Sequence, residues 1–305
     1  MSAAENPLDI TVFGHRGARG IFPENTMAGF RYLRDIGVSA VEIDVQNIAG
    51  RVPVVAHDPY VAPALTRDCK GAWIADERRL MLHMTAEELA QLDIGATRAG
   101  TAYAARFSDQ ARLSGQRIPT FATFCEWAAT QPDLVLNVEI KSHALRPEIN
   151  DPPDIIAVDV LDMLQAHGLT RRCIVSSFDW RVIHACAAYA PDVKRGYLTL
   201  MRSHGTSMEP NIIDGSAWMD GARRSDHNDS LPQTISDLGG QVWCPYFEDL
   251  TSQDLKQAQA LGLHVNVWTV NKLDDIRRMA EMGVNGIISD YPARVQNILA
   301  ERATT

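Results

Sequence analysis

The sequence predicts an α/β protein, a (β/α)8 TIM barrel with an insertion after the second strand and its hairpin, and three observations carry that prediction. Eight short apolar, β-branched runs recur along the 305 residues. Each is followed by an amphipathic stretch of helical length, the pattern of repeated β/α units around a parallel sheet. The length equals the roughly 250 residues typical of this barrel plus one or two insertions, which suits a closed barrel better than an open doubly wound sheet.

In chain order the runs are ITVFGH (10–15), AVEIDV (40–45), LVLNVEIK (134–141), CIVSSF (173–178), VKRGYLTL (193–200), GQVWCP (240–245), LHVNVWTV (263–270) and NGIISD (285–290). The first unit is punctuated clearly. Pro23, Glu24, Asn25 and Thr26 set a helix cap before an apolar stripe of Met27, Phe30, Leu33 and Ile36, and Gly37 closes the helix. VPVVAHDP (52–59) follows the second run too soon for a helical crossover, so it returns as a hairpin strand beside it and is not one of the eight. One domain is expected over residues 8–302, with insertions at about 60–117 and 201–235. In the first insertion Thr85 and Glu88 form a capping box for a short helix at 85–92. Both insertions leave the face where barrels carry their active sites, and they either shape substrate access or are plain excursions.

Composition narrows the function classes. The charge of −9, from 38 acidic and 29 basic residues, argues against nucleic-acid binding, which gathers Lys and Arg on one face. No run reaches the roughly 18 apolar residues of a membrane span, and the first ten residues lack the pattern of a secretory signal. Five cysteines (Cys69, Cys125, Cys173, Cys186, Cys244), without a CxxC pair, suit free thiols in a reducing compartment, so the expected location is cytoplasmic with no stable membrane insertion.

The strand ends carry the chemistry. Alternation puts Glu42 and Asp44 on one face of their strand, with Val41, Ile43 and Val45 on the other. Two carboxylates side by side near the mouth of a barrel repel each other unless a cation or protons compensate. In the third run Asn137, Glu139 and Lys141 share a face, adding a third carboxylate; alternatively Glu139 and Lys141 simply pair with each other. Three carboxylates without paired Cys or His suit one divalent ion, Mg²⁺ or Ca²⁺ with Mn²⁺ possible, better than Zn²⁺. His15 and His57 end apolar runs near these acids, as a base and an acid for phosphoryl transfer require. Arg16 and Lys141 would offset the charge of a phosphodiester. Gly14, Gly17 and Gly20 match neither a Rossmann nor a Walker spacing and read as turn residues.

The ordered set GHRGARGIFPENTMAGF, VEIDVQ, PVVAHDP, NVEIK, SSFDW, VNVWTVN and GIISDYP, spanning about residues 11–298, resembles the glycerophosphodiester phosphodiesterase family. The resemblance implies a barrel hydrolase that cleaves small-molecule glycerophosphodiesters, such as glycerophosphocholine or glycerophosphoethanolamine, to sn-glycerol 3-phosphate and an alcohol. It implies Glu42, Asp44 and Glu139 as metal ligands, His15 and His57 as the acid/base pair, and Arg16 and Lys141 as phosphate contacts. It further implies attack by the substrate's own glycerol hydroxyl, with His15 as base and His57 as acid, followed by opening of a cyclic phosphate by water. Glu24 matches the Pro-Glu-Asn-Thr motif and is expected near the metal or orienting Arg16, unless it only flanks a helix cap. Phe178 and Trp268 match aromatic positions that wall the glycerol, or else fill the top of the barrel. The stretch YVAPALTRDCKGAW after His57 and Asp58 departs from the Leu-Arg-Thr-Thr run of many members. The alternatives are a lysophospholipase D, with Trp218, Met219 and Trp73 lining an acyl channel, and a barrel that binds a phosphodiester without turning it over.

Overall fold

The computed structural model describes residues 10–75, 79–204 and 208–303. The domain start expected at residue 8 lies outside them. All eight runs form strands: β1 (Thr11–His15), β2 (Ala40–Ile48), β4 (Val135–Ile140), β5 (Cys173–Ser177), β6 (Lys194–Thr199), β7 (Val242–Pro245), β8 (His264–Val267) and β9 (Gly286–Ser289). They pair in parallel from β1 through β2, β4 and onward to β9, and β9 pairs with β1, so the sheet closes on itself. The hairpin strand β3 (Val52–Val55) lies antiparallel against the upper end of β2, outside the ring.

Helices follow the strands around the outside. They are α1 (Met27–Asp35), α4 (Phe121–Ala129), α5 (Pro153–Ala166), α6 (Trp180–Tyr189), α7 (Leu231–Asp237), α8 (Ser252–Ala260), α9 (Leu273–Met282) and α10 (Pro292–Ala303). Thr26 caps α1 by accepting from the Gly29 amide, and Gly37 leaves the helix at φ +74. The outward face of β2 (Val41, Ile43, Val45) and of β4 (Leu136, Val138, Ile140) packs on Phe30, Phe121, Phe124 and Val160 of the helices. Burying such a side chain is worth about 1.5–3 kcal/mol. Inside the ring, Phe13, Ala40, Ile174, Leu198, Val242, Cys244 and Ile288 fill the floor. This apolar plug leaves the C-terminal ends of the strands as the place where polar side chains can gather.

The first insertion has its own small core, in which Val61, Met81, Met84, Leu89 and Leu92 pack on Ile48 and Val54 of the hairpin. It contains α2 (Ala86–Ala90), with the expected Thr85–Glu88 capping box, and α3 (Ala102–Arg106). It is no loose excursion, because the Ala111 amide donates to Ile21 O (2.7 Å) and Gln110 Nε2 to Arg19 O (2.7 Å). The second excursion ends before residue 235, since α7 begins at Leu231 under a Ser230 cap. Gly14, expected in a turn, lies within β1.

Candidate active site

Strand register assembles the site. His15 on β1 pairs with Glu42 on β2, which pairs with Asn137 on β4. Two residues further along, Asp44 pairs with Glu139, and Glu139 with Ser176 on β5. Because Val41, Ile43 and Val45 face the helices, period two turns Glu42 and Asp44 toward the barrel axis. These layers form the base of a cleft of about 780 Å³ lined by His15, Arg16, Glu42, His57, Glu139, Lys141, Phe178 and Trp268, among others.

Glu42, Asp44 and Glu139 each offer a carboxylate oxygen, all within 4.8 Å of one another, and all three residues are buried. Glu24, Asp58 and Asp290 lie close by, so carboxylates outnumber the three cations that pair with them, Arg16, Arg19 and Lys141. The site therefore carries an excess of acidic groups that a bound cation would offset. Burial and then the Asp44 and Glu139 carboxylates push Glu42 well above the usual carboxylate range. Asp44 is also buried, but Arg16, His57 and Lys141 outweigh that and hold it below its usual range. Asp44 Oδ1 has no hydrogen-bond partner, and Lys141 Nζ lies 3.6 Å from it. An all-oxygen donor set with a spare buried lone pair fits a hard divalent cation.

Both histidines are anchored through Nδ1. His15 Nδ1 lies 2.6 Å from Asp290 Oδ1, and His15 Nε2 lies 3.8 Å from Glu42 Oε2. His57 Nδ1 lies 2.6 Å from Asp58 Oδ1. Burial, then Arg19 and Arg16, lower His15 to about 4 against the opposing pull of Asp290, so it is neutral at pH 7.

Arg16 adopts the left-handed conformation (φ 51), which costs a non-glycine residue about 1–3 kcal/mol. In return its amide donates to Glu42 Oε2 (3.0 Å), Nη1 donates to Glu24 Oε1 (2.9 Å), and Nε lies 3.1 Å from Asp44 Oδ2 without hydrogen-bond alignment. Glu24 thus holds Arg16, and Tyr103 of the first insertion donates to its other oxygen. Asn25 Nδ2 donates to Asp44 Oδ2 (3.0 Å). Lys141 Nζ sits 2.5 Å from Glu139 Oε1, so the expected strand-face pair exists and also touches Asp44. Phe178 and Trp268 meet edge to face at 5.2 Å, Lys141 Nζ lies 6.0 Å over the Phe178 ring, and both rings line the cleft.

Of the three residues proposed for an acyl channel, Trp218 lines the cleft. Met219 is instead fully buried among core residues, and Trp73 packs beside the Arg67 guanidinium at 5.7 Å. Several neighbours escaped the sequence reading. Asp290 ends the eighth run, a place where a carboxylate reads as functional, yet the strand pattern alone assigns it no partner. Arg19, Asn271 and Tyr103 carry no local signal, because only the closed barrel and the folded insertion bring them to the site.

The comparisons agree with this geometry. The model of the glycerophosphoryl diester phosphodiesterase family matches residues 15–294. A crystal structure from Silicibacter pomeroyi, described as a glycerophosphoryl diester phosphodiesterase, is 36% identical and superposes with a TM-score of 0.85, covering 98% of this chain and 95% of that one. A glycerophosphodiester phosphodiesterase of Caldanaerobacter subterraneus is 26% identical over 94% of this chain and 97% of its own. A phosphodiesterase of Oleispira antarctica, solved with the product sn-glycerol-3-phosphate, shares the fold at 22% identity and a TM-score of 0.69, over 95% of this chain and 96% of that one. The family match across nearly the whole barrel bears out the resemblance: this chain belongs to the glycerophosphoryl diester phosphodiesterase family and is a phosphoric diester hydrolase.

Proposed function

We propose that this single barrel hydrolyses glycerophosphodiesters, such as glycerophosphocholine or glycerophosphoethanolamine, to sn-glycerol 3-phosphate and the free alcohol. The observation that carries the reading is the meeting of three carboxylates with two Nδ1-anchored imidazoles in one cleft. Glu42, Asp44 and Glu139 hold one divalent cation, Mg²⁺ or Ca²⁺ with Mn²⁺ as the third candidate, and when bound it supplies Lewis-acid stabilisation for charge on the phosphoryl oxygens. Arg16 and Lys141 contact the same oxygens with fixed positive charge. Phe178 and Trp268 wall the glycerol moiety.

His15 Nε2, unprotonated at rest, takes the proton of the glycerol hydroxyl as its oxygen attacks phosphorus. The new P–O bond forms as the bond to the alcohol oxygen breaks, and His57, in its imidazolium form, gives that oxygen its proton. In the second half the roles reverse. His57 takes a proton from water as the water oxygen attacks phosphorus, and the ring oxygen leaves with the proton held on His15. The first half needs His15 neutral, as its burial favours.

A second reading, lysophospholipase D activity on monoacyl glycerophosphodiesters, is favoured by the apolar side chains Leu145, Leu198, Met208 and Trp218, which line the cleft together with Phe178. Action in the cytoplasm is the compartment we favour, since all five cysteines are free thiols. A panel of glycerophosphodiesters with choline, ethanolamine and glycerol head groups, each with and without one acyl chain, tests the reading. Coupled oxidation of glycerol 3-phosphate reports the first activity, and alcohol release from the acylated forms alone would favour the second. No release from any member would refute both.

A further inference from the structure

Asp290 is a buried carboxylate beside His15 to which the proposed reaction gives no role. It is fully buried at the end of β9, and its backbone is pinned where the barrel closes on β1. The Gly20 amide donates to Asp290 O (2.9 Å), and a Cβ at Gly20 would lie 2.3 Å from Tyr291 Cε1, so only glycine lets the two turns meet. The Asp290 amide donates to Asn271 Oδ1 (2.9 Å). The carboxylate is then surrounded by donors. Oδ1 accepts from Arg19 Nε (2.7 Å), and Oδ2 accepts from Arg19 Nη2 (3.1 Å) and Asn271 Nδ2 (2.7 Å). Arg19 is itself fixed, with its guanidinium 4.8 Å over the Phe107 ring and its carbonyl accepting from Gln110 of the first insertion.

An ionised carboxylate paired bidentately with arginine accepts and does not donate. His15 Nδ1, 2.6 Å from Oδ1, must therefore carry the hydrogen of that contact, which leaves the lone pair on Nε2, the nitrogen on the Glu42 side. We propose that Asp290, braced by Arg19 and Asn271, is the positioning residue that locks His15 in this tautomer and ring orientation and accepts the imidazolium charge when the substrate's hydroxyl proton arrives at Nε2. This rests on the reading of His15 as the base. It also gives the first insertion a task at a distance, since Phe107 and Gln110 hold the arginine that holds the aspartate. His57 is built differently, because its partner Asp58 is its exposed chain neighbour, whereas the His15 partner is drawn from the far end of the sequence.

The test is a double-mutant cycle on the metal-loaded enzyme, with Asp290→Asn, His15→Gln and the double variant. Asp290→Asn is expected to lower kcat by about 10²-fold or more and to leave KM within about threefold, as removal of a tautomer-fixing carboxylate does elsewhere. On the His15→Gln background the same change is expected to alter the residual rate by less than about threefold. Equal losses in both backgrounds, or an undiminished kcat in Asp290→Asn, overturn the proposal. Should Asp290→Asn not fold, Asn271→Ala removes one donor and one brace, and is expected to give a kcat-selective loss that likewise vanishes on the His15→Gln background. Histidine ¹⁵N spectra read the tautomer directly, with Nδ1–H expected in the parent protein and a shift toward Nε2–H in Asp290→Asn. Full activity of His15→Gln would sink the base reading instead, and the spectra would still decide whether Asp290 sets the tautomer.

Discussion

Replacing Glu42 by glutamine should make the protein more stable without a divalent ion and remove most of the stability that an ion adds. The three carboxylates offer oxygens within 4.8 Å of one another, and at an effective dielectric of about 20 each like-charged pair at that range costs on the order of 3 kcal/mol. Part of this is relieved by proton uptake, because burial and its two neighbours raise Glu42 well above the usual range. A glutamine side chain mimics the protonated acid but lacks the charge that strengthens the bond accepted from the Arg16 amide, so the net gain for the metal-free Glu42→Gln protein is about 1–3 kcal/mol. For a barrel of this size that is a Tm rise of about 2–6 °C. A saturating ion at about 100 times its Kd stabilises the parent protein by about 2.7 kcal/mol, whereas a hundredfold weaker site in the variant gains only about 0.4 kcal/mol. Thermal denaturation in chelator and then in rising Mg²⁺, Ca²⁺ or Mn²⁺ should show the variant above the parent in chelator and the gap closing by about 2.3 kcal/mol as the ion saturates the parent. A parent Tm indifferent to chelator and cation, or a variant less stable in chelator, would refute the charge accounting.

If His57 protonates the departing oxygen, His57→Gln should slow single-turnover release of choline by about 10²–10⁴-fold but single-turnover release of a nitrophenol leaving group far less, while His15→Gln should slow both releases equally. Parallel losses for the two histidines would contradict the division of labour. His15 is lowered from 6.5 to about 4, so the base form persists as pH falls, and kcat/KM should show no acid limb at 6.5 assignable to this residue. The stability sign follows from the same shift: between pH 6.5 and 4 the unfolded chain binds a proton that the folded His15 refuses, so this residue makes the fold less stable as pH drops, measurable as a smaller Tm change with pH in His15→Gln. Trp268→Ala should raise KM for glycerophosphodiesters by about tenfold with a smaller change in kcat, since it removes an apolar wall without touching the phosphoryl contacts; an unchanged KM would move the glycerol elsewhere in the cleft.

The barrel was legible because its strand runs are short, β-branched and regularly followed by helical patterns, and because period two alone separates Glu42 and Asp44 from Val41, Ile43 and Val45. The acid trio was legible for the same reason: alternation on two neighbouring strands orients all three. What escaped was everything set by closure. Asp290 reaches His15 across 275 residues of sequence because β9 pairs with β1, and strand periodicity cannot say which carboxylate will meet which imidazole. The first insertion escaped too, since Tyr103, Phe107 and Gln110 lie on a segment with a weak pattern and act only once its own core has folded. The second insertion was drawn too long because the polar stretch that precedes Leu231 hid the Ser230 cap. Met219 looked available for a channel but faces the core, as its flat local pattern could not reveal.

The central claim is that a divalent ion held by Glu42, Asp44 and Glu139 works with His15 and His57 to cleave a glycerophosphodiester, and one measurement addresses it most directly. The protein is stripped with chelator, and glycerol 3-phosphate formation from glycerophosphoethanolamine is followed before and after cation add-back, alongside Glu139→Gln and both histidine variants. The account predicts turnover only with the ion, and a loss of at least about 10²-fold in each variant at saturating cation. Full turnover in chelator, or a Glu139→Gln or His57→Gln rate equal to that of the parent enzyme, would contradict it.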